Sequence, residues 1–230
     1  MSDFEKKALL DVQSIFQATW TETKGQVVPK SEDLGLSNVG RSISATVLYA
    51  DIDGSTQIVD RFDAKFAAEI YKAFLLCATR TIRRNGGEVR SFDGDRVMGV
   101  FIGESKNSDA AKTGLQINYL VKKVINPALR AQYTSTKFSL RHTVGIDTSE
   151  MLVVRSGIRN NNDLVWVGSA ANHAARMNSL SSDFATRLSP AVYKKLSEKS
   201  KFGGNPRRNM WTSADWNGQT IYRSTWTWRP

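Results

Sequence analysis

The sequence predicts an α+β fold with a mostly antiparallel central sheet flanked by helices. Three observations support this prediction. Short β-rich apolar runs follow one another in pairs separated by turn residues, which is typical of hairpins. Stretches with helical periodicity lie between these pairs. The chain has 230 residues, of which 40% are hydrophobic, enough for one sizeable core. Mixed runs of strands and helices with hairpins favour α+β packing over a parallel sheet.

The first elements are an amphipathic helix and a connector. Residues 3–20 have apolar side chains roughly on one helical face: Phe4, Leu9, Val12 and Phe16. Residues 21–41 are rich in polar residues, glycine and proline, so we expect a connector there. We therefore divide the chain into an N-terminal helix with its connector, residues 1–41, and one domain over residues 42–230.

The next segment predicts a central strand followed by a helix. Residues 44–50 form a β-rich apolar run, and Gly54-Ser55-Thr56 forms a turn of small residues. One long helix is then predicted up to the glycine pair Gly86-Gly87, which is suited to a C-terminal cap. Its apolar positions recur every four residues: Phe62, Phe66, Ile70 and Phe74.

The remaining elements alternate between hairpins and helices. Asp93-Gly94 between two apolar runs is a strong hairpin signal, and Pro127 punctuates the chain after the helix that follows. The predicted strands are residues 88–92, 96–101, 138–147, 151–155, 164–167, 185–189, 209–211 and 220–226. The predicted helices are residues 108–124 and 168–178 and a short one from Pro190.

Composition bounds the partners and the compartment. The net charge is +10, which favours polyanionic partners such as nucleotides. The basic residues are scattered and not interleaved with aromatics, so we expect neither nucleic acid nor membrane as a partner. A single cysteine, Cys77, excludes an intrachain disulfide, and the charged N-terminus is unlike a signal peptide. A cytoplasmic protein is expected.

Three segments carry residues suited to phosphoryl transfer. Asp51 ends the central strand directly before the small-residue turn, and Asp95 lies in the turn of the next hairpin. Two converging carboxylates could hold a pair of divalent metals, while N–H groups of the turn receive phosphate. Asn172 and Arg176 lie one helical turn apart and offer an amide and a guanidinium. His142 and His173 lack metal-ligand spacing and are interpreted as structural.

These segments resemble the motifs of class III nucleotidyl cyclases, in the family's order. The matching stretches are residues 48–56, 87–101, 144–150 and 165–177. The resemblance implies a class III cyclase-like fold, with residues 42–230 as the catalytic domain. It also implies a head-to-tail homodimer in which the carboxylates of one chain meet the Asn/Arg pair of the other.

The resemblance also assigns roles to residues. Two divalent ions, Mn²⁺ or Mg²⁺, would be held by Asp51 and Asp95 with the Ile52 carbonyl assisting. Asn172 would orient the ribose and Arg176 would stabilise charge on the transferring phosphoryl group. The phosphates would be cradled by the backbone amides of Asp53, Gly54, Ser55 and Thr56.

The sequence differs from the family's purine cyclases at the positions that recognise the base. Purine cyclases carry a pair of polar side chains at the positions of Ser91 and Val165, and Tyr49 replaces a usual phenylalanine. Val165 offers no hydrogen bond, so a purine reader should not be built this way. The family's late basic residue also has no clear counterpart, because residues 212–218 lie there; Arg207 or Arg208 could substitute.

These departures resemble the stand-alone pyrimidine cyclases of bacterial antiphage defence. UTP is then the expected substrate and cyclic UMP the product, which would signal to a separate effector. CTP, an adenylate or guanylate cyclase with atypical base contacts, and an inactive nucleotide-binding module remain alternatives. A diguanylate cyclase is disfavoured because Val89-Arg90 follow Gly86-Gly87-Glu88 where further acids are usual.

Overall fold

A computed structural model describes residues 1–230 and divides them into two compact units. The core unit comprises residues 45–149 and 169–230, and the arm unit comprises residues 1–44 and 150–168. The helices are α1 (Asp3–Gln17), α2 (Ser55–Arg61), α3 (Ala64–Arg84), α4 (Lys106–Leu120), α5 (Asn126–Gln132), α6 (Ser169–Asn178), α7 (Pro190–Lys194) and α8 (Glu198–Lys201). The strands are β1 (Thr21–Lys24), β2 (Val39–Ile52), β3 (Glu88–Asp93), β4 (Arg96–Phe101), β5 (His142–Ile158), β6 (Asn161–Val167), β7 (Thr186–Leu188), β8 (Phe202–Gly203), β9 (Arg208–Asn209), β10 (Thr212–Trp216) and β11 (Gln219–Ser224).

The sheet of the core unit confirms the predicted class. Its strands follow the order β10-β11-β7-β5-β2-β4-β3. The pairs β3–β4, β2–β4, β10–β11 and β11–β7 are antiparallel, and β5–β7 is parallel. The parallel pair requires a crossover, and helix α6 lies within that connection.

Strand β2 separates the hydrophobic core from the candidate site. Its residues alternate in direction, so Leu48, Ala50 and Ile52 are buried in the core among side chains of α3 and α4. Tyr49 and Asp51 point to the opposite face and are only half-buried. At this end of β2, one face of the sheet packs in the core and the opposite face presents the polar residues of the candidate site.

The predicted long helix is broken into two. Helix α2 ends at Arg61, and α3 begins at Ala64 because Asp63 caps it. The Asp63 carboxylate accepts hydrogen bonds from the N–H groups of Lys65 and Phe66 at 2.9 and 3.1 Å. The four-residue periodicity continues across the break, so the prediction of one helix was wrong.

The predicted strand over residues 138–147 begins four residues later, at His142. The side chain of Asn126 occupies both backbone groups of Leu140: its Oδ1 accepts from the Leu140 N–H at 2.7 Å, and its Nδ2 donates to the Leu140 carbonyl at 3.0 Å. The Leu140 N–H is therefore not free to donate to a strand partner, and its carbonyl already has one donor. Pro127 lies in the first turn of α5, which continues α4 through a π-helical turn at residues 121–125.

The arm unit contains the predicted helix and the predicted hairpin, together with one strand, β1, that the sequence did not predict. Residues 21–24, expected to be connector, form β1 and pair in parallel with residues 39–42 of β2. The strand β6 pairs antiparallel with β5, from Leu152 opposite Val167 to Ile158 opposite Asn161. Helix α1 buries none of its residues. Of all the helices, none combines the length and the apolar character needed to cross a bilayer.

Candidate active site

Asp51 and Asp95 form a half-buried pair of carboxyl groups. Asp51 lies at the end of β2, and Asp95 lies in the turn between β3 and β4. Burial, together with the charge of Asp95 and a hydrogen bond to it, raises the pKa of Asp51 to about 7. The charge of Arg96 and a 3.1 Å hydrogen bond from the Ile52 N–H partly oppose this shift in pKa. The fold therefore holds the two acids together against their mutual repulsion.

This pair fits a divalent cation. The Oδ2 atom of Asp95 is buried and has no hydrogen-bond partner, which leaves an acceptor free for a ligand. The chain contains no group of three or more acidic, histidine or cysteine side chains placed so that it could hold a metal ion. Side-chain ligands are therefore few, and a backbone carbonyl such as that of Ile52 would be needed beside water. Mg²⁺ commonly binds in this manner, through one or two carboxylates plus substrate phosphates.

The raised pKa of Asp51 has a measurable consequence for the metal-free protein. Between pH 4 and pH 7 the folded state retains a proton that the unfolded state has released, so the free energy of unfolding falls as pH rises through this range. The side chain of Asn at position 51 cannot ionise, so the free energy of unfolding of Asp51→Asn does not fall in this way. In the presence of EDTA we expect its Tm to exceed that of the wild type by about 3 °C at pH 8, with the difference vanishing near pH 4. Exposed Asp60→Asn is the control, and a pH-independent Tm difference would contradict the prediction.

The small-residue turn after β2 is held by contacts of Asp53. Gly54 adopts a left-handed conformation, with φ of +76°, and begins α2 without a side-chain cap. The Asp53 N–H donates to the carbonyl of Arg141 at 3.0 Å, and the Asp53 carboxylate pairs with the Arg141 guanidinium at 3.2 Å. The N–H groups of Gly54, Ser55 and Thr56 have no such partner within the core unit. Of the four amides predicted to cradle phosphate, these three are therefore free.

Two of the three candidate base-pocket residues lie in one row of the sheet. Met98 of β4 is paired with Tyr49 on one side and with Ser91 on the other, so the three side chains share a face. The Tyr49 hydroxyl lies 3.3 Å from the Met98 sulfur. The Arg96 guanidinium lies 5.3 Å from the Tyr49 ring centroid and pairs with Asp93 at 2.6 Å. Met98 was missed in the sequence because only the strand register reveals it.

The third candidate, Val165, lies in the arm unit. It is on β6 opposite Val154, and 45% of its surface is exposed. Its role in a base pocket stays a prediction.

Helix α6 is held tightly against the sheet. A Cβ atom at Gly145 of β5 would lie 2.1 Å from the carbonyl oxygen of Ala174, so only glycine permits this approach. At the end of α6, the buried Asn178 donates to the Thr143 carbonyl at 2.9 Å. The helix that carries Asn172 and Arg176 is therefore fixed in position.

Asn172 and Arg176 are both exposed. No ion pair joins Arg176 to Asp51 or to Asp95. The guanidinium of Arg176 lies 5.0 Å from the Trp216 ring centroid. Within the core unit, the acids and the Asn/Arg pair are thus two groups of residues that no ion pair connects.

The two histidines have different surroundings. Complete burial lowers the pKa of His142 to about 3, so it is a neutral core residue. His173 is half-exposed, and its Nδ1 lies 3.1 Å from the carboxylate of Asp147, which is only 3% exposed. Asp147 and His173 line an open cleft of about 630 Å³ together with Trp216. Asp147 and Trp216 were missed because no metal or nucleophile spacing marks them.

Comparisons with known proteins agree with this geometry. Residues 38–220 match the family model of the adenylate and guanylate cyclase catalytic domain. The chain is 47% identical to a uridylate cyclase of Xanthomonas perforans over 94% of both chains. It is 46% identical to a uridylate cyclase of Burkholderia cepacia, over 94% of this chain and 95% of that protein.

Solved structures show the same fold. The adenylyl cyclase CyaB from P. aeruginosa superposes with a TM-score of 0.68 at 21% identity, over 80% of this chain and 95% of that one. The family match extends over most of the chain and includes both the carboxyl pair and helix α6. This chain therefore belongs to the family of adenylate and guanylate cyclase catalytic domains, the class III nucleotidyl cyclases.

Proposed function

We propose that this protein is a uridylate cyclase, which converts UTP to 3′,5′-cyclic UMP and pyrophosphate. The observation that supports this type of reaction is the carboxyl pair of Asp51 and Asp95. The Oδ2 atom of Asp95 has no hydrogen-bond partner, and the neighbouring turn has amide N–H groups that are also without a partner. The assignment of uracil is supported by the two relatives of that name at 47% and 46% identity.

The chain's own residues would act on three parts of the substrate. The amides of Gly54, Ser55 and Thr56 would hold the phosphates. Asn172 would orient the ribose so that its 3′-oxygen attacks the α-phosphorus in line. The bond between the α-phosphorus and the oxygen that bridges to the β-phosphorus breaks, pyrophosphate leaves, and the proton of the 3′-hydroxyl passes to solvent. Arg176 would stabilise the charge that accumulates on the α-phosphoryl oxygens.

Asp51 and Asp95, with the Ile52 carbonyl, would hold two divalent ions, Mg²⁺ or Mn²⁺. When bound, these ions would supply Lewis-acid stabilisation of the attacking and leaving oxygens. Because Arg176 forms no ion pair with the acids of its own chain, and because the motifs resemble those of class III cyclases, we propose a head-to-tail homodimer in which each active site takes residues from both chains.

The base pocket is proposed to suit a single pyrimidine ring. Tyr49 places an aromatic ring in the same row of the sheet as Met98 and Ser91. Ser91 offers one short hydroxyl, and Val165 offers no polar atom. A hydrogen-bonding surface long enough to read the two rings of a purine is therefore lacking.

The test is incubation of the purified protein with each of the four nucleoside triphosphates and Mn²⁺. We expect cyclic UMP from UTP at a rate about 100-fold or more above the rates with ATP and GTP, since missing hydrogen-bond partners discriminate strongly. Product from CTP alone would indicate a cytidylate cyclase. Product from ATP or GTP alone would contradict the pyrimidine pocket, and no product at all would indicate a nucleotide-binding module.

We further propose that cyclic UMP serves as a second messenger in antiphage defence and acts on a separate effector. The support is the resemblance to stand-alone pyrimidine cyclases. We also propose that the protein acts in the cytoplasm, where UTP is made, and that its catalytic domain begins near residue 42.

A further inference from the structure

Trp216 is placed where it can hold the guanidinium of Arg176. It ends strand β10 opposite Gln219, directly before a tight turn whose residues Asn217 and Gly218 both have positive φ. Two-residue turns of this kind are the commonest connection between antiparallel strands, because their backbone twist matches that of the strands. The indole is therefore held at the end of a regular hairpin, with its ring centroid 5.0 Å from the Arg176 guanidinium carbon.

The contact holds a cation without neutralising it. Within the core unit, Arg176 has no ion pair and no side-chain hydrogen bond, although Arg96 and Arg207 each pair with a carboxylate there. A carboxylate partner would compete with phosphate for the guanidinium. An aromatic face attracts the cation through its quadrupole and leaves every N–H free to donate.

We propose that Trp216 is the positioning residue of Arg176, which it holds by cation–π stacking so that the guanidinium is presented to the transferring phosphoryl group. This inference rests on the proposed cyclase function. It also gives a role to residues 212–218, where the sequence lacks the basic residue that its motifs predict.

The inference is tested by steady-state kinetics of Trp216→Leu and Trp216→Phe in the full-length protein, with whichever nucleotide the wild type cyclises. Leucine removes the aromatic face, and we expect kcat to fall roughly 3- to 30-fold with KM little changed, in line with the usual strength of such contacts. Phenylalanine keeps a weaker face and is expected to restore part of kcat. In an Arg176→Ala background, Trp216→Leu should cause no further loss, because the group that it positions is gone.

Trp228→Leu is the matched control, since Trp228 stacks on Lys112, which has no part in the proposed chemistry. Its kcat should stay near that of the wild type. Three results would overturn the inference: an unchanged or raised kcat in Trp216→Leu, an equal loss in the Arg176→Ala background, or a loss in both kcat and Tm that Trp216→Phe does not relieve. If Trp216→Leu does not fold, the inference is tested by Trp216→Phe alone, in the wild-type and in the Arg176→Ala background. Inactivity of the wild type with all four nucleotides would instead refute the proposed function, and this inference with it.

Discussion

Asp51→Ala is expected to lower the turnover of UTP by about 10³-fold or more while leaving the protein folded. Asp51 and Asp95 are the acids that the fold holds together, and removal of one leaves a single carboxylate to bind metal. The charge stabilisation lost in the transition state would amount to several kcal/mol, and each 1.36 kcal/mol is tenfold in rate. The fold should persist because the ionised carboxyl is itself unfavourable in the metal-free protein.

Two measurements separate loss of chemistry from loss of structure. Calorimetric titration with Mn²⁺ should show binding to the wild type and its loss in Asp51→Ala, while circular dichroism and Tm in EDTA remain close to those of the wild type. Asp60→Ala, which removes an exposed acid of the neighbouring helix α2, is the matched control and should retain activity. Retention of more than about a tenth of the wild-type rate by Asp51→Ala would refute the metal-binding role.

The sequence predicts the carboxyl pair because both acids are tied to strong local signals. Asp51 ends an apolar strand, and Asp95 lies in a turn of the Asp-Gly type. Antiparallel pairing of the strand with that hairpin brings a strand end and a turn to the same edge of the sheet. Local sequence signals and the pairing of neighbouring strands are sufficient to predict this pair, and the structure places the two acids in contact.

Contacts that depend on register between distant strands could not be predicted in this way. Met98 lies between Tyr49 and Ser91 because β4 pairs with both of their strands, and because the register between β3 and β4 shifts between Val89 and Ser91. Trp216 reaches Arg176 across about forty residues of chain, with no spacing that links them. The same holds for the Asn126 side chain, which satisfies the backbone of Leu140 and delays the start of β5. Side-chain hydrogen bonds to a distant backbone leave no periodic trace in a sequence.

The shared-site dimer leads to the second large effect, which appears on mixing two inactive variants. Arg176→Ala alone should lower kcat by about 10²- to 10³-fold, since it removes one donor to the developing charge. A mixture of Asp51→Ala with Arg176→Ala, allowed to exchange subunits, should recover about a quarter of the wild-type activity. Random exchange makes half of the dimers mixed, and each mixed dimer contains one site with both defects and one site with neither.

The matched control is a mixture of Asp51→Ala with Asp95→Ala. These two defects lie in the same half-site, so no arrangement of the two chains restores an intact site, and the mixture should remain inactive. Recovery in both mixtures would mean that activity returns for a reason other than site sharing. No recovery in the first mixture, under conditions where subunit exchange is verified with differently tagged wild-type chains, would place the acids and Arg176 of each active site in a single chain. Because Arg176 contacts Trp216 and forms no ion pair with either acid of its own chain, we expect recovery in the first mixture and none in the second.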